Sequence, residues 1–88
     1  MVVDEGVLNT VGYAFLERSQ PESALNAFQL EAESYPASAF ALTGLTQTYA
    51  TLGDSARAVA SGTKALALNP SALRTVEILR RLRPEARD

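Results

Sequence analysis

Residues 36–70, PASAFALTGLTQTYATLGDSARAVASGTKALALNP, begin and end with proline and so mark a spacing of 34 residues. A shift of the sequence by this spacing places apolar residues on apolar residues: Leu8 on Leu42, Val11 on Leu45, Phe15 on Tyr49, Ala24 on Ala58 and Leu25 on Val59. A second shift reaches Val76 and Leu79. Recurring apolar positions between variable ones are typical of a buried stripe in stacked repeats. The sequence therefore predicts a repeat fold.

Each repeat contains two amphipathic segments with apolar residues at spacings of three and four, which indicates helices. Gly53 favours the left-handed backbone conformation that ends a helix, and Asp54 is a good N-cap for the next one. Pro21 suits the first turn of a helix. Pro36 and Pro70 end the second segments, since the residue before proline avoids the helical region. The predicted helices cover about 6–19, 21–34, 40–52, 54–68 and 71–83, with Pro84 closing the last.

This order of pair, pair and single helix predicts an all-α domain spanning residues 1–88. We expect repeat one at about 5–38, repeat two at about 39–72 and a capping helix at about 71–83. A stack of helix pairs needs such a cap, because its last apolar face would otherwise meet water. We expect Ala72, Leu73, Val76, Leu79 and Leu82 to form the apolar side of that cap.

Composition excludes several classes of function. The 88 residues carry a net charge of −2, too weak to gather nucleic acid or an anionic membrane. The sign changes along the chain, from seven acids and one base through Asp54 to three acids and seven bases after it. There is no cysteine and no apolar run long enough to span a bilayer. We expect a cytoplasmic protein without nucleic-acid or membrane partners.

The residues offer no set for catalysis, and we predict no enzyme, no cofactor and no metal site. Histidine and cysteine are both missing from the sequence. Ser61-Gly62-Thr63-Lys64 matches the Ser-x-x-Lys pattern of penicillin-recognising enzymes, but the accompanying Ser-Asp-Asn and Lys-Thr-Gly elements are missing, so we expect Lys64 to be solvated. Glu31 and Glu33 lie two residues apart and so point to different helix faces, and we expect both to be solvated.

The repeat resembles the tetratricopeptide repeat (TPR) family over nearly the whole chain. The matching positions are Leu8, Val11, Gly12, Phe15, Ala24, Phe28 and Pro36 in unit one, and Leu42, Leu45, Tyr49, Gly53, Ala58, Ala65 and Pro70 in unit two. The sequence departs from the family pattern at Glu31 (usually alanine), Thr46 (usually small) and Gly62 (usually aromatic). The resemblance implies a right-handed α-superhelix of two hairpins plus the capping helix.

The resemblance also implies a function, because first helices of the family line a concave groove. We therefore predict protein–protein interaction through a groove that presents Asn9, Tyr13, Phe40, Thr43, Gln47, Arg74 and Arg81, and expect Phe15, Phe28 and Tyr49 to form the core. Tyr13 and Phe40 lie off the internal stripe. The positions of the family's clamp for acidic chaperone tails hold Asn9, Tyr13, Gly44, Arg74 and Ile78, of which only Arg74 is chemically suitable.

A narrower likeness keeps a second function open. Residues 8–13 (LNTVGY) and 35–39 (YPASA) are similar to repeat tails that follow serine-hydrolase or β-lactamase-like domains in bacterial proteins. This likeness implies a structural accessory domain at the C-terminus of a larger protein, in whichever compartment that protein occupies. Because Gly62 has no side chain, we expect a space beside it that a neighbouring helix or a second chain fills. A weak homodimer is therefore an alternative.

Overall fold

The structure is a computed structural model that describes residues 4–82. These residues form five α-helices and no strand: α1 (Glu5–Glu17), α2 (Pro21–Ser34), α3 (Ala39–Thr51), α4 (Ser55–Leu68) and α5 (Leu73–Arg81). The prediction of an all-helical chain with five helices is thereby confirmed for this part of the sequence. The predicted end of the cap at Arg83 and its stop at Pro84 lie outside the described residues.

Local side-chain bonds explain where three of the helices begin. Asp4 accepts a hydrogen bond from the Gly6 amide at 2.6 Å, Ser38 accepts one from Ala41 at 3.1 Å, and Asp54 accepts one from Arg57 at 3.1 Å. Each bond satisfies an amide that has no partner inside its helix. In α2, Pro21 occupies the first turn, where its missing N–H costs nothing.

The two hairpin turns use the same backbone shape with different residues. Gly53 has φ +82°, as predicted, and Ser19, which lies 34 positions earlier, has φ +59°. This left-handed conformation is easy for glycine and costs a residue with a side chain about 1 kcal/mol or more. The first turn is therefore strained where the second is relaxed.

The helices stack in two rows. Every helix packs on the next one along the chain, and α3 also packs on both α1 and α5. Within residues 4–82, α2 and α4 make no contact with each other. The first helices of the hairpins and the cap therefore form one continuous layer, and the second helices lie behind it.

Phe28 joins the first three helices in what we call the first seam. Its side chain is fully buried on α2 and lies between Gly12 of α1 and Gly44 of α3. A Cβ atom built on either glycine would lie 2.5 Å (Gly12) or 2.3 Å (Gly44) from a carbon of the ring. The aromatic side chain thus occupies space that only glycine leaves free on both flanking helices.

Helices α4 and α5 meet differently in what we call the second seam, which centres on Gly62 of α4. Gly62 stands 34 residues after Phe28, so the helix that carries the large side chain in the first seam carries none here. Leu79 of α5 enters the space instead, and its Cδ2 would lie 2.7 Å from a Cβ atom on Gly62. The predicted space is therefore filled by a neighbouring helix of the same chain.

Two of the expected buried positions are wrong. Val11 is 38% exposed, because α1 is the first helix described and has stack neighbours on one side only. Leu73 is 75% exposed, because the stripe that α5 buries runs through Thr75 and Leu79 and leaves Leu73 at the helix start facing outward. The expected core residues Phe15 and Tyr49 do pack, half-buried, against the central cluster.

Candidate functional site

A groove of about 770 Å³ runs along the layer formed by α1, α3 and α5. Six of the seven predicted binding residues line it: Asn9, Tyr13, Phe40, Thr43, Gln47 and Arg74. The seventh, Arg81, lines an adjoining hollow of about 610 Å³ that shares Gln47 and Arg74 with the groove. The structure thus brings all seven to one face, while their use in binding stays a prediction.

Arg74 is held in place from two other helices. Its Nη1 donates to Oε1 of Gln47 at 3.2 Å, and its Cζ lies 5.9 Å from the ring centroid of Tyr13, within the range of a cation–π contact. Between residues 4 and 82 the only ion pair joins Arg57 to Asp54, at 2.8 Å. The positive charges of Arg74 and Arg81 are therefore not neutralised by any ion pair in this part of the chain.

Tyr13 belongs both to the groove and to the core, which corrects its expected place off the internal packing. Its ring lies edge-on to Phe28, with centroids 5.0 Å apart and planes at 74°. Burial raises the pKa of the Tyr13 phenol, the charge of Arg74 opposes that rise, and Glu31 adds to it. Tyr13 consequently presents a neutral ring beneath the guanidinium of Arg74 at physiological pH.

The polar groups of two predicted residues are already used inside the protein. The Asn9 Nδ2 donates to both carboxyl oxygens of Glu31, at 3.1 and 3.4 Å. The hydroxyl of Thr43 bonds that of Thr75 at 2.9 Å, which ties α3 to α5. Gln47, Arg74 and Arg81 are therefore the polar side chains of the predicted set that are best placed to meet a ligand.

Apolar side chains border the groove. Phe40 is 69% exposed and Leu73 is 75% exposed, the highest values for any large apolar residue in the described range, and both line the groove. Phe40 was expected here and Leu73 was not. Leu73 lies three residues before Val76 and fits the apolar spacing, so the local pattern gave no signal that it would be exposed.

Glu31 overturns the expectation of a solvated carboxylate. Its side chain is fully buried, whereas Glu33 is exposed as expected. Burial raises the pKa of the Glu31 carboxyl to about 7; the hydrogen bond from Asn9 opposes the rise, and a hydrogen bond and the charge of Glu5 add to it. An ionisable side chain thus occupies a fully buried position, where Asn9 bonds it and Glu5 lines the same hollow.

The remaining chemical motifs do not assemble into a site. Ser61 is buried and Lys64 is exposed, so the two residues of the Ser-x-x-Lys match lie in different environments. In the part of the chain that the structure describes, no three side chains among His, Cys, Asp and Glu are grouped to hold a metal ion. None of the helices in that part is long and apolar enough to cross a membrane.

Comparison of the sequence with family models and with curated proteins identifies no relative. The chain matches no protein-family model, and no curated protein matches it significantly. The groove and its chemistry are therefore the basis for a functional proposal.

Proposed function

We propose that this chain is a TPR-type protein-interaction module that binds an extended peptide or protein segment in the groove along α1, α3 and α5. In this proposal the two hairpins and the capping helix wind into a right-handed superhelix, and the groove is its concave face. The observation that carries the proposal is the convergence of six residues from three helices, selected from sequence alone, on one groove.

The groove chemistry suits a segment with mixed polar and apolar character. The amide of Gln47 and the guanidinium of Arg74 offer donors to a backbone carbonyl and to a carboxylate. Phe40 and Leu73 offer apolar contact at the edges. A groove made by two hairpins is small, so the affinity of one such contact is modest unless further contacts add to it.

A displayed library of random peptides tests this proposal with a defined probe. Peptides enriched on the wild-type chain are titrated by calorimetry into the wild type and into the double variant Gln47→Ala, Arg74→Ala. We expect the double variant to weaken binding by about tenfold or more, since it removes two of the polar side chains best placed to meet a ligand. Tyr13 is left unchanged because its contact with Phe28 would make its truncation a stability change as well.

Arg80→Ala is the matched control. Arg80 is an exposed arginine on the same helix as Arg74 and lines neither the groove nor the adjoining hollow. Its removal lowers the net charge by the same amount and should leave binding within about twofold of the wild type. Equal binding by the wild type and the Gln47/Arg74 variant would reject the groove as the binding face.

The accessory-domain alternative rests on a separate observation on α1. Val7 is 52% exposed and Val11 is 38% exposed, and their spacing of four places them on one helix face. In a structural accessory, this face would pack against another domain of the same protein. Fusion of the chain to that domain in the natural protein, followed by Val7→Ser with Val11→Ser, should then lower the melting temperature of the fusion more than that of the isolated chain.

A further inference from the structure

A part-buried polar junction ties the start of the stack together at one end of the groove. Glu5 of α1, Asn9 of α1, Glu31 of α2 and Ser38 before α3 form it, and we call this set the Glu5–Glu31 junction. Asn9 donates to both oxygens of Glu31, the Ser38 hydroxyl donates to Glu5, and the carboxyl groups of Glu5 and Glu31 line the same hollow. Three helices therefore meet through one set of hydrogen bonds.

Ser38 connects the junction to the N-terminus of α3. The same Oγ that donates to Glu5 accepts a hydrogen bond from the Ala41 amide and caps α3. A change in the charge of the junction is thus felt at the first turn of α3 as well as at α1 and α2.

Within residues 4–82, no positive charge forms an ion pair with these carboxyl groups. From α1, the titratable side chains that face Glu31 are Glu5 and Tyr13, with Asp4 in the same hollow. The segment α3 contains no Asp, Glu, Lys, Arg or His, and its one titratable residue, Tyr49, is hydrogen-bonded to Gln29 instead. On α2 itself, Glu33 points to solvent.

Two carboxyl groups can hydrogen-bond to each other only when a proton lies between them. Because no cation among residues 4–82 pairs with either group, ionising both would set two like charges against each other in a part-buried place. We propose that Glu5 and Glu31 share one proton, and that its release loosens α1 from α2 and from the start of α3, so that the junction is a pH-responsive contact in the stack.

The sign of the effect follows from the direction of the shift. The pKa of Glu31 rises from an ordinary 4.5 to about 7 in the folded chain, so the folded chain holds the proton more tightly than the unfolded one. The stabilisation of the folded chain by protonated Glu31 is complete below about pH 4.5 and is lost as the pH rises through about 7. Hydrogen bonds from the backbone and the side chain of Arg57 lower the pKa of Asp54. Titration of Asp54 therefore affects stability only at more acidic pH than titration of Glu31 does.

The junction also adjoins the proposed ligand site. Asn9 and Phe40 line both the groove and the hollow around Glu31. Loosening of the junction at alkaline pH therefore acts on that end of the groove. This last consequence rests on the proposed function, whereas the shared proton does not.

Thermal unfolding of the whole chain at about pH 5.5 and about pH 8.5 tests the proposal without any ligand. The wild type should lose on the order of 5 °C in melting temperature between the two conditions. In Glu31→Gln the loss should fall to less than about half of that, because a neutral amide keeps the contact with Glu5 without needing a proton. Glu33→Gln, an exposed neighbour on the same helix, should lose as much as the wild type.

A spectroscopic measurement decides the outcome even if Glu31→Gln does not fold. In infrared difference spectra of the wild type, one protonated carboxyl should disappear with a midpoint near 7, as expected for the raised pKa of Glu31. Glu33→Gln should retain that signal and Glu5→Gln should shift it to lower pH. A wild type in which every carboxyl is ionised by about pH 6 would overturn the shared proton, as would an unchanged pH dependence in Glu31→Gln.

Discussion

The first and second seams differ in the residue that the second helix of each hairpin contributes, which is large in one and glycine in the other. In the first, the middle helix α2 supplies Phe28 and the flanking helices supply Gly12 and Gly44. In the second, the middle helix α4 supplies Gly62 and the flanking helix α5 supplies Leu79. In each seam a glycine on one helix thus makes room for a large apolar side chain from a neighbouring helix, but the helix that supplies that side chain differs.

This difference has an energetic consequence. A rigid aromatic ring between two glycines leaves little room for adjustment on either side, whereas a leucine next to one glycine can change its rotamer. We expect substitutions in the first seam to cost more than equivalent ones in the second. The following variants test that ranking.

Phe28→Ala should have the largest effect of any single substitution in the core. It removes a fully buried ring that three helices contact, and such truncations cost about 3–5 kcal/mol. For a domain of this size that loss approaches the whole free energy of unfolding. Urea unfolding followed by circular dichroism measures it, and Phe40→Ala, at an exposed aromatic, should cost no more than about 0.5 kcal/mol.

Leu79→Ala should cost less, about 2 kcal/mol, because it empties a smaller space at the end of the stack. The loss should be local. Amide hydrogen exchange should accelerate in α5 and in the part of α4 around Gly62, and should stay slow in α1 and α2. Equal acceleration along the entire chain would mean that the two seams are not separate units.

Gly44→Ala and Gly62→Ala compare the two seams directly. The added methyl on Gly44 meets the Phe28 ring and should cost about 1–2 kcal/mol net of the better helix propensity of alanine. The methyl on Gly62 meets the end of the flexible Leu79 side chain, so its net effect should be smaller. In a Phe28→Leu background the cost of Gly44→Ala should shrink, and a cost independent of residue 28 would contradict the contact.

Ser19→Gly should have the smallest effect and the opposite sign. Ser19 adopts the left-handed conformation that its counterpart Gly53 adopts without strain. Relief of that strain, less the added freedom of the unfolded chain, should stabilise the protein by about 0.5 kcal/mol. Gly53→Ala, measured in the same thermal unfolding series, should destabilise it.

Much of the helical layout was predictable because its signals are local. Proline, Gly53 and the capping residues act within a few positions of themselves, and the predicted bounds of the helices differ from the observed ones by two residues or fewer within the described range. The spacing of 34 residues also identified the apolar positions that match between units. Each of these signals can be seen without knowledge of distant contacts.

The environments of Glu31, Leu73 and Gly62 depended on distant residues and could not be fully derived. Burial of Glu31 is tolerated because Asn9, 22 positions earlier, bonds its carboxyl group. The space at Gly62 was anticipated, but nothing in the local pattern showed that α5 would fill it. The residues that line the groove could be predicted from the sequence. The internal hydrogen bonds of Asn9 and Thr43 could not, because they depend on how the helices pack.

Amide chemical shift mapping tests most directly whether the layer of α1, α3 and α5 is the binding face. An enriched peptide is titrated into the ¹⁵N-labelled chain. We expect the largest shifts to cluster along the groove, around Tyr13, Gln47 and Arg74. Shifts confined to the outer faces of α2 and α4 would contradict this expectation.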